Sequence, residues 1–240
     1  IRSASGRFLQ IRARFDTAQP CALYAVQAYY LPGNQPTTLK DIVVKPVPGK
    51  KGDGSADDAP SSIYKIEWKP ENPDADRLRF RIDYRPEGKP SFRPIVRESE
   101  ILTRTGFDWN TDGVPDGYYR VRIESSDELD NPARSVQRDR TESEPVLVDN
   151  HPPHVDGLRF ATNVVSGNAR DAQGPISKLE YAVDGQDWLP FYPKDDLFDT
   201  RDEAFELTLG ALTKGSHVVA VRARDARGNS GSAELWISVP

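Results

Sequence analysis

The sequence predicts an all-β protein built from two consecutive antiparallel β-sandwiches, with a short pair of strands before them. A strand ending is duplicated, because residues 119–131 recur as residues 217–229 at a constant offset. The 240 residues include 20 prolines and 17 glycines, which indicates many turns and short strands. No stretch keeps a helical period. A spacing of about 100 residues is the size of one sandwich domain.

The duplicated segment is the clearest local pattern. In each copy a turn glycine, Gly117 or Gly215, precedes a strand in which apolar and polar residues alternate. Such alternation is typical of a half-buried strand. Each strand then ends in an Asp-x-x-x-Asn turn, 127–131 in the first copy and 225–229 in the second. We therefore expect equivalent strands in the two sandwiches.

Residues 1–34 contain two alternating segments, 6–15 and 22–31, which we expect to be strands. Two strands alone are marginally stable in water. They would therefore complete a domain that precedes this chain or pack on the next module. The first alternative is favoured because the chain begins abruptly and contains no methionine.

The first sandwich is expected over residues 35–149. Its predicted strands lie at 41–45, 63–68, 78–84 and 92–102, followed by the duplicated strand from Gly117. The segment 45–62 is rich in proline, glycine, serine and charge, which predicts a mobile loop. Trp68 and the apolar face of 78–84 are the expected core.

The second sandwich is expected over residues 150–240. Pro152 and Pro153 resist both helix and central strand and mark the boundary. Strands are predicted at 157–160, 164–170, 179–184, 203–209, 217–225 and 233–239. Short strands at this spacing are typical of a Greek-key sandwich.

Residues 66–68, 78–84, 114–123 and 126–127 together resemble a fibronectin type III domain. The second module, which opens at Asp149-Asn-His-Pro-Pro153 and ends at residues 225–229, is similar to bacterial immunoglobulin-like modules. The resemblance covers residues 38–240. It implies a large exported bacterial parent protein in which such modules occur in tandem. It also implies that Tyr119 ties down a strand corner, where the second copy has His217.

Composition narrows the classes of partner. The net charge of −5 includes no polybasic block, so neither nucleic acid nor an anionic membrane is an expected partner. No apolar run approaches the ~20 residues needed to cross a bilayer, so membrane insertion is not expected. The single cysteine, Cys21, allows no disulfide within the chain. We expect a secreted, cell-surface or periplasmic location from the resemblance.

Two acidic groups could bind calcium, the one cofactor that the sequence suggests. The first reproduces the opening of a calcium loop, with oxygen ligands at alternate positions, but has Tyr119 where the bidentate glutamate belongs. Its residues are Asp108, Asn110, Asp112 and Asp116. The second group would bridge the modules and comprises Asp74, Asp76, Asp149 and Asn150. In both groups the same residues are also suited to turns.

Two surface patterns remain. Four arginines on neighbouring strands could bind an anion or a partner, or could form a cross-strand ladder with Asp83 and Glu124; these are Arg79, Arg81, Arg120 and Arg122. Trp188 and Tyr192 could stack on sugar rings, or pack against the sheet.

No catalytic constellation accompanies these patterns, so we expect no enzyme activity. The expected function is structural or adhesive: a spacer or protein-interaction module that contacts other domains of the parent protein or another protein. The alternatives are polysaccharide binding, an accessory region of an enzyme whose catalytic domain lies upstream, and a calcium-stiffened adhesin. Fold alone does not decide among them.

Overall fold

The computed structural model describes residues 9–15, 18, 20–28, 33–49 and 61–240, which form β-strands and no helix. It confirms the predicted all-β fold. The first sandwich contains β1 (Thr38–Pro46), β2 (Ile63–Glu71), β3 (Arg79–Pro86), β4 (Arg93–Pro94), β5 (Gly106–Asn110), β6 (Gly117–Ser126), β7 (Arg138–Glu142) and β8 (Val146–Val148). The second contains β9 (His154–Ala161), β10 (Val164–Arg170), β11 (Ile176–Val183), β12 (Leu189–Phe191), β13 (Asp202–Thr208), β14 (Gly215–Asp225) and β15 (Ser230–Val239). Within the described part of the chain, no helix that could span a membrane is found.

The two sandwiches have the same strand order. In the first, one sheet has the order β1-β2-β5 and the other β4-β3-β6-β7, with β8 also paired to β6. In the second, the corresponding orders are β9-β10-β13 and β12-β11-β14-β15. All of these pairings are antiparallel. The sequence duplication therefore corresponds to a duplication of the sandwich.

The duplicated strands, β6 and β14, are the centre of one sheet in each sandwich. Their alternate side chains are buried, as the sequence pattern predicts. Both strands begin at a glycine with a positive φ, 143° at Gly117 and 138° at Gly215. Residues with a side chain rarely adopt such a positive φ, which explains why glycine occupies this position in both copies.

The hydroxyl of Tyr119 donates a hydrogen bond to the carbonyl of Pro115, at 2.6 Å. At the equivalent position in the second sandwich, Nε2 of His217 lies 2.8 Å from the carbonyl of Thr213. In both cases the acceptor is four residues earlier in the chain. Histidine therefore makes the same corner contact that tyrosine makes in the first copy.

Each sandwich has its own hydrophobic core. In the first, Trp68 packs edge-on against Phe80, with ring centroids 5.2 Å apart. In the second, Phe205 packs edge-on against Phe191 at 5.3 Å. The buried side chains of the two cores fall into separate clusters. Each module thus buries its apolar residues largely by itself.

The predicted strand pair at 6–15 and 22–31 is not formed by the described residues of these segments, 9–15 and 20–28. Their large apolar side chains are at least half exposed, because two strands bury too little surface to hold a sheet; these are Leu9, Ile11, Phe15, Leu23, Tyr24 and Val26. By contacts, residues 1–33 form one unit and residues 34–240, with both sandwiches, form another. Most of the predicted loop at 45–62 lies outside the described residues.

Candidate functional site at the junction of the two sandwiches

The chain passes from β8 to β9 through a five-residue linker, Asp149–Pro153, which the first sandwich holds on one side. The backbone N–H of Asn150 donates to Oδ1 of Asp116 at 2.9 Å, and its side-chain amide donates to the carbonyl of Thr111 at 2.9 Å. Nδ1 of His151 lies 2.5 Å from Oδ2 of Asp116. The loop between β5 and β6 therefore fixes the linker.

The second sandwich holds the other side of the linker through the turn between β14 and β15. The Asn229 side-chain amide donates to the carbonyl of Asp149 at 3.2 Å. A side-chain carbon on Gly231 would lie only 1.9 Å from the carbonyl oxygen of Pro153. The two backbones therefore approach closer than any side chain would allow.

Arg227, in the same turn, contacts the first sandwich directly. Its Nη2 donates to the carbonyl of Ser61 at 3.1 Å, and its guanidinium carbon lies 5.0 Å from the centre of the Tyr64 ring. Tyr64 is fully buried, and its hydroxyl donates to the carbonyl of Leu147 at 2.6 Å. Burial raises the pKa of this phenol, and the positive charge of Arg227 opposes the rise. Arg227 thus belongs to the second sandwich and contacts the first.

Three carboxylates meet beside the linker, and we call this group the acidic corner: Asp149, Asp171 and Asp225. Each offers an oxygen, and these oxygens all lie within 4.8 Å of one another. Asp149 comes from the linker, Asp171 follows β10, and Asp225 ends β14. Asp149 and Asp225 are 2% and 1% exposed. Three segments distant in sequence therefore place negative charge in one small, mostly buried volume.

Local hydrogen bonds hold two of the carboxylates. Oδ1 of Asp171 accepts the backbone N–H of Gly174 at 2.8 Å, and also that of Gln173. Oδ1 and Oδ2 of Asp225 accept hydrogen bonds from the backbone and side chain of Asn229, at 2.9 and 2.8 Å. These contacts are typical of polar turns, and they fix the direction of both carboxylates.

The third carboxylate is different. Oδ2 of Asp149 is buried and has no hydrogen-bond partner among the described residues. It faces Gly174, where a side-chain carbon would lie 3.0 Å from this oxygen and 4.0 Å from Oδ1 of Asp171. A buried carboxylate oxygen without a partner is costly, because it has lost its water and gained no donor.

Electrostatics follow from this geometry. Burial, then the charges of Asp171, Asp225 and Asp116, raise the pKa of Asp149 to about 7, against a hydrogen bond from the His151 backbone. Burial also raises the pKa of Asp225, although hydrogen bonds from Asn229 lower it. The hydrogen bonds from His151 and Asn229 therefore do not fully compensate for the burial and mutual repulsion of the carboxylates in the acidic corner.

The first predicted calcium group is only partly brought to this junction. Asp116 lies there, where it contacts the linker and influences Asp149. Asp108 lies in β5 opposite Lys65. Asn110 and Asp112 hydrogen-bond each other, with the Asp112 N–H 2.9 Å from the Asn110 side-chain oxygen. Those two residues form a turn, as the alternative interpretation expects.

The second predicted group is divided between the two ends of β2. Asp149 and Asn150 lie at the junction, beside Tyr64 near the start of β2. Asp74 and Asp76 follow the end of β2, where Asp74 accepts the Gln35 N–H at 2.8 Å and Asp76 accepts the Asn131 amide at 2.5 Å. The structure therefore places the two halves of this predicted group at opposite ends of β2.

Sequence reasoning missed Asp171 and Arg227, and treated Asp225 only as a turn residue. The Asp-x-x-x-Asn repeat is the signal that could have found Asp225, because it ends the duplicated strand in both copies. Asp171 and Arg227 carry no such signal, since their importance depends on which loops meet at the junction.

The four arginines of the predicted surface patch each have a carboxylate partner. Arg122 is bound to Asp83 at 2.6 Å and lies over the Phe92 ring at 3.8 Å. The other three pairs join Arg79 to Glu128, Arg81 to Glu98 and Arg120 to Glu87. Of these four pairs, only Arg122–Asp83 joins facing positions of β3 and β6 as the expected ladder does, and Glu124 pairs instead with Arg138 and Arg140.

The two aromatic residues predicted to stack on sugars make different local contacts. The guanidinium carbon of Arg222 lies 4.2 Å from the centre of the Trp188 ring and covers one of its faces. Tyr192 is 64% exposed and packs against Phe198, with ring centroids 5.8 Å apart. Neither contact by itself builds a shared sugar platform.

Comparison with models of known protein families gives no match for this chain, and comparison with curated protein sequences gives no relative. The interpretation of the junction therefore rests on the residues and contacts described above.

Proposed function

We propose that residues 34–240 act as a non-catalytic spacer that holds two β-sandwiches at a fixed angle within a larger exported protein. The observation that supports this most strongly is the junction. The linker is hydrogen-bonded on one side to the first sandwich and on the other side to the second.

Two domains joined by a free linker move relative to each other unless their interface holds them. Here Arg227 of the second sandwich binds Ser61 of the first, and the first sandwich binds Asn150 and His151 of the linker. Pro152 and Pro153 further restrict the linker backbone. A junction with these contacts favours a fixed arrangement of the two sandwiches over hinge motion between them.

We also propose that the first sandwich is fibronectin III-like and the second immunoglobulin-like. The shared strand order, the corner contact of Tyr119 and the equivalent contact of His217 support this assignment. Tandem modules of this kind favour a secreted or cell-surface bacterial protein, with another domain or protein as the partner.

The test is the width of the distance distribution between the sandwiches. Spin labels are placed on exposed positions in a Cys21→Ser background, by Lys69→Cys in β2 and Glu234→Cys in β15. A rigid junction predicts one narrow distance peak in a pulsed dipolar measurement. Arg227→Ala should broaden or shift the peak, because it removes the contact with Ser61 and Tyr64.

Arg159→Ala is the control, since it also removes an arginine, but an exposed one in β9 that takes no part in the linker contacts described above. It should leave the peak unchanged. A broad distribution in the unmutated chain would overturn the spacer proposal, because it would show that the two modules reorient freely.

A further inference from the structure

We propose that the acidic corner, Asp149, Asp171 and Asp225, is a calcium site that ties the linker to the second sandwich. Three carboxylate oxygens within 4.8 Å of one another can surround one cation. This inference does not depend on the spacer function, because the contacts of Arg227 and Asn150 exist without a metal.

The unpartnered oxygen is the independent observation that points to a ligand. Oδ2 of Asp149 is buried in a residue that is 2% exposed, and it has no donor among the described residues. Buried charges in proteins are paired or coordinate metals. Since Asp171 and Asp225 place further carboxylate oxygens within 4.8 Å of an oxygen of Asp149, a bound cation would supply the missing positive charge.

The first sandwich contains the corresponding corner in a different chemical form. Its Asp127–Asn131 turn is the duplicate of the Asp225–Asn229 turn. Asn72 follows β2 as Asp171 follows β10, and Asn34 lies in the segment that leads into β1. Two of the three positions that carry aspartate in the second corner therefore carry asparagine in the first.

These two asparagines change which hydrogen bonds the corner makes. The side-chain amide of Asn34 donates to Oδ2 of Asp127 at 2.6 Å and to the carbonyl of Ser135 at 2.6 Å. The side-chain amide of Asn72 donates to the carbonyl of Asp76 at 2.6 Å. The amide of Asn34 thus binds the carboxylate of this corner directly, whereas Oδ1 of Asn34 and Oδ1 of Asn72 are buried without a hydrogen-bond partner among the described residues. The two corners therefore differ in charge, because the first has neutral amides at two positions where the second has carboxylates.

The ligand set favours calcium. All of the offered atoms are carboxylate oxygens, which hard cations prefer and for which soft metals compete poorly. Magnesium is usually bound through one or two carboxylates with several waters retained, and calcium accepts more protein oxygens in flexible geometry. Three carboxylates from three segments, two of them almost fully buried, therefore fit calcium better.

The test is calorimetric titration of calcium chloride into the metal-free chain, together with thermal melts in excess EDTA and in millimolar calcium. We expect about one bound ion and a rise of about 5 °C in the melting midpoint, because the ion binds only the folded corner. Asp171→Asn, which introduces the residue found after β2, should lower calcium affinity at least about tenfold.

Asp108→Asn and Asp76→Asn are the matched controls, since each removes one carboxylate outside the corner and should leave calcium binding unchanged. If either abolished binding and Asp171→Asn did not, calcium would bind elsewhere and the proposal would be wrong. Equal affinity for magnesium and calcium would overturn the assignment to calcium.

Asp149→Asn provides a readout that does not depend on measuring affinity. In EDTA this variant should melt at or above the midpoint of the unmutated chain, because it replaces a buried carboxylate whose Oδ2 has no hydrogen-bond partner among the described residues with a neutral amide. In calcium it should melt below the unmutated chain, because it has lost a ligand. A variant that melts lower by the same amount in both conditions would show that Asp149 has only a structural role.

Discussion

A side-chain carbon at residue 231 would lie 1.9 Å from the carbonyl oxygen of Pro153 and 3.1 Å from its carbonyl carbon. Both atoms belong to the backbone, so neither can rotate away. Gly231→Ala should therefore push β15 away from the linker and destabilise the protein by at least about 2 kcal/mol, as overpacking does. Urea denaturation of the variant checks the expected loss.

Gly210→Ala is the control for that substitution, because Gly210 is exposed and nothing lies within 4 Å of the added carbon. Its free energy of unfolding should stay within about 0.5 kcal/mol of the unmutated chain. Equal effects of the two substitutions would mean that the close approach of Gly231 to Pro153 is not essential.

Both ring nitrogens of His217 face oxygen acceptors. Nδ1 lies 2.7 Å from Oδ2 of Asp184, and Nε2 lies 2.8 Å from the carbonyl of Thr213. A carboxylate and a carbonyl both accept, so the geometry suits the charged imidazolium. The hydrogen bond to Asp184, and then the one to Thr213, raise the pKa of His217 above 6.5. Its partner, Asp184, has a pKa below 3.8.

This pair makes stability depend on pH. Because the pKa of His217 is raised on folding, its contribution is complete below the unfolded value of 6.5 and is lost as the pH rises through the folded value. The melting midpoint should therefore fall between about pH 5.5 and about pH 8.5 by more in the unmutated chain than in His217→Gln. Asp149 titrates in both proteins, so the difference isolates His217. An identical fall in both would contradict the assignment.

At the scale of the strand, β2 carries the alternation that fixes the first core. Tyr64, Ile66 and Trp68 are buried, and the residues between them face outward. Trp68 is 4% exposed and packs on Phe80. Trp68→Ala should cost about 3–5 kcal/mol in the free energy of unfolding. Trp236→Ala is the contrast, because Trp236 on β15 is 74% exposed and should change stability by less than about 0.5 kcal/mol.

Most of the strands could be predicted from sequence, because one buried face produces an alternating pattern that short-range inspection detects. The duplicated strands, β6 and β14, are the clearest example. The pair predicted in residues 1–34 is not formed by the described residues there, since alternation shows only that a segment could bury one face. Whether a partner sheet covers that face is a tertiary property, and the described apolar residues there are exposed.

At the scale of the whole molecule, the junction was only partly predictable. The paired prolines locate the linker, and Asp149 and Asn150 belong to a predicted calcium group. Asp171 could not be predicted, because its proximity to Asp149 depends on how β10 and the linker are packed. For the same reason Asp74 and Asp76, which belong to the same predicted calcium group as Asp149, lie instead at the other end of β2.

The turn between β14 and β15 also determines how mechanical load passes through the molecule. If residues 34 and 240 were pulled apart, tension along the linker would be shared by the hydrogen bonds of Arg227 to Ser61 and of Asn229 to Asp149. Extension of the linker would then require both hydrogen bonds to break. Until then the two sandwiches would move together under load, and afterwards each sandwich would bear the force separately.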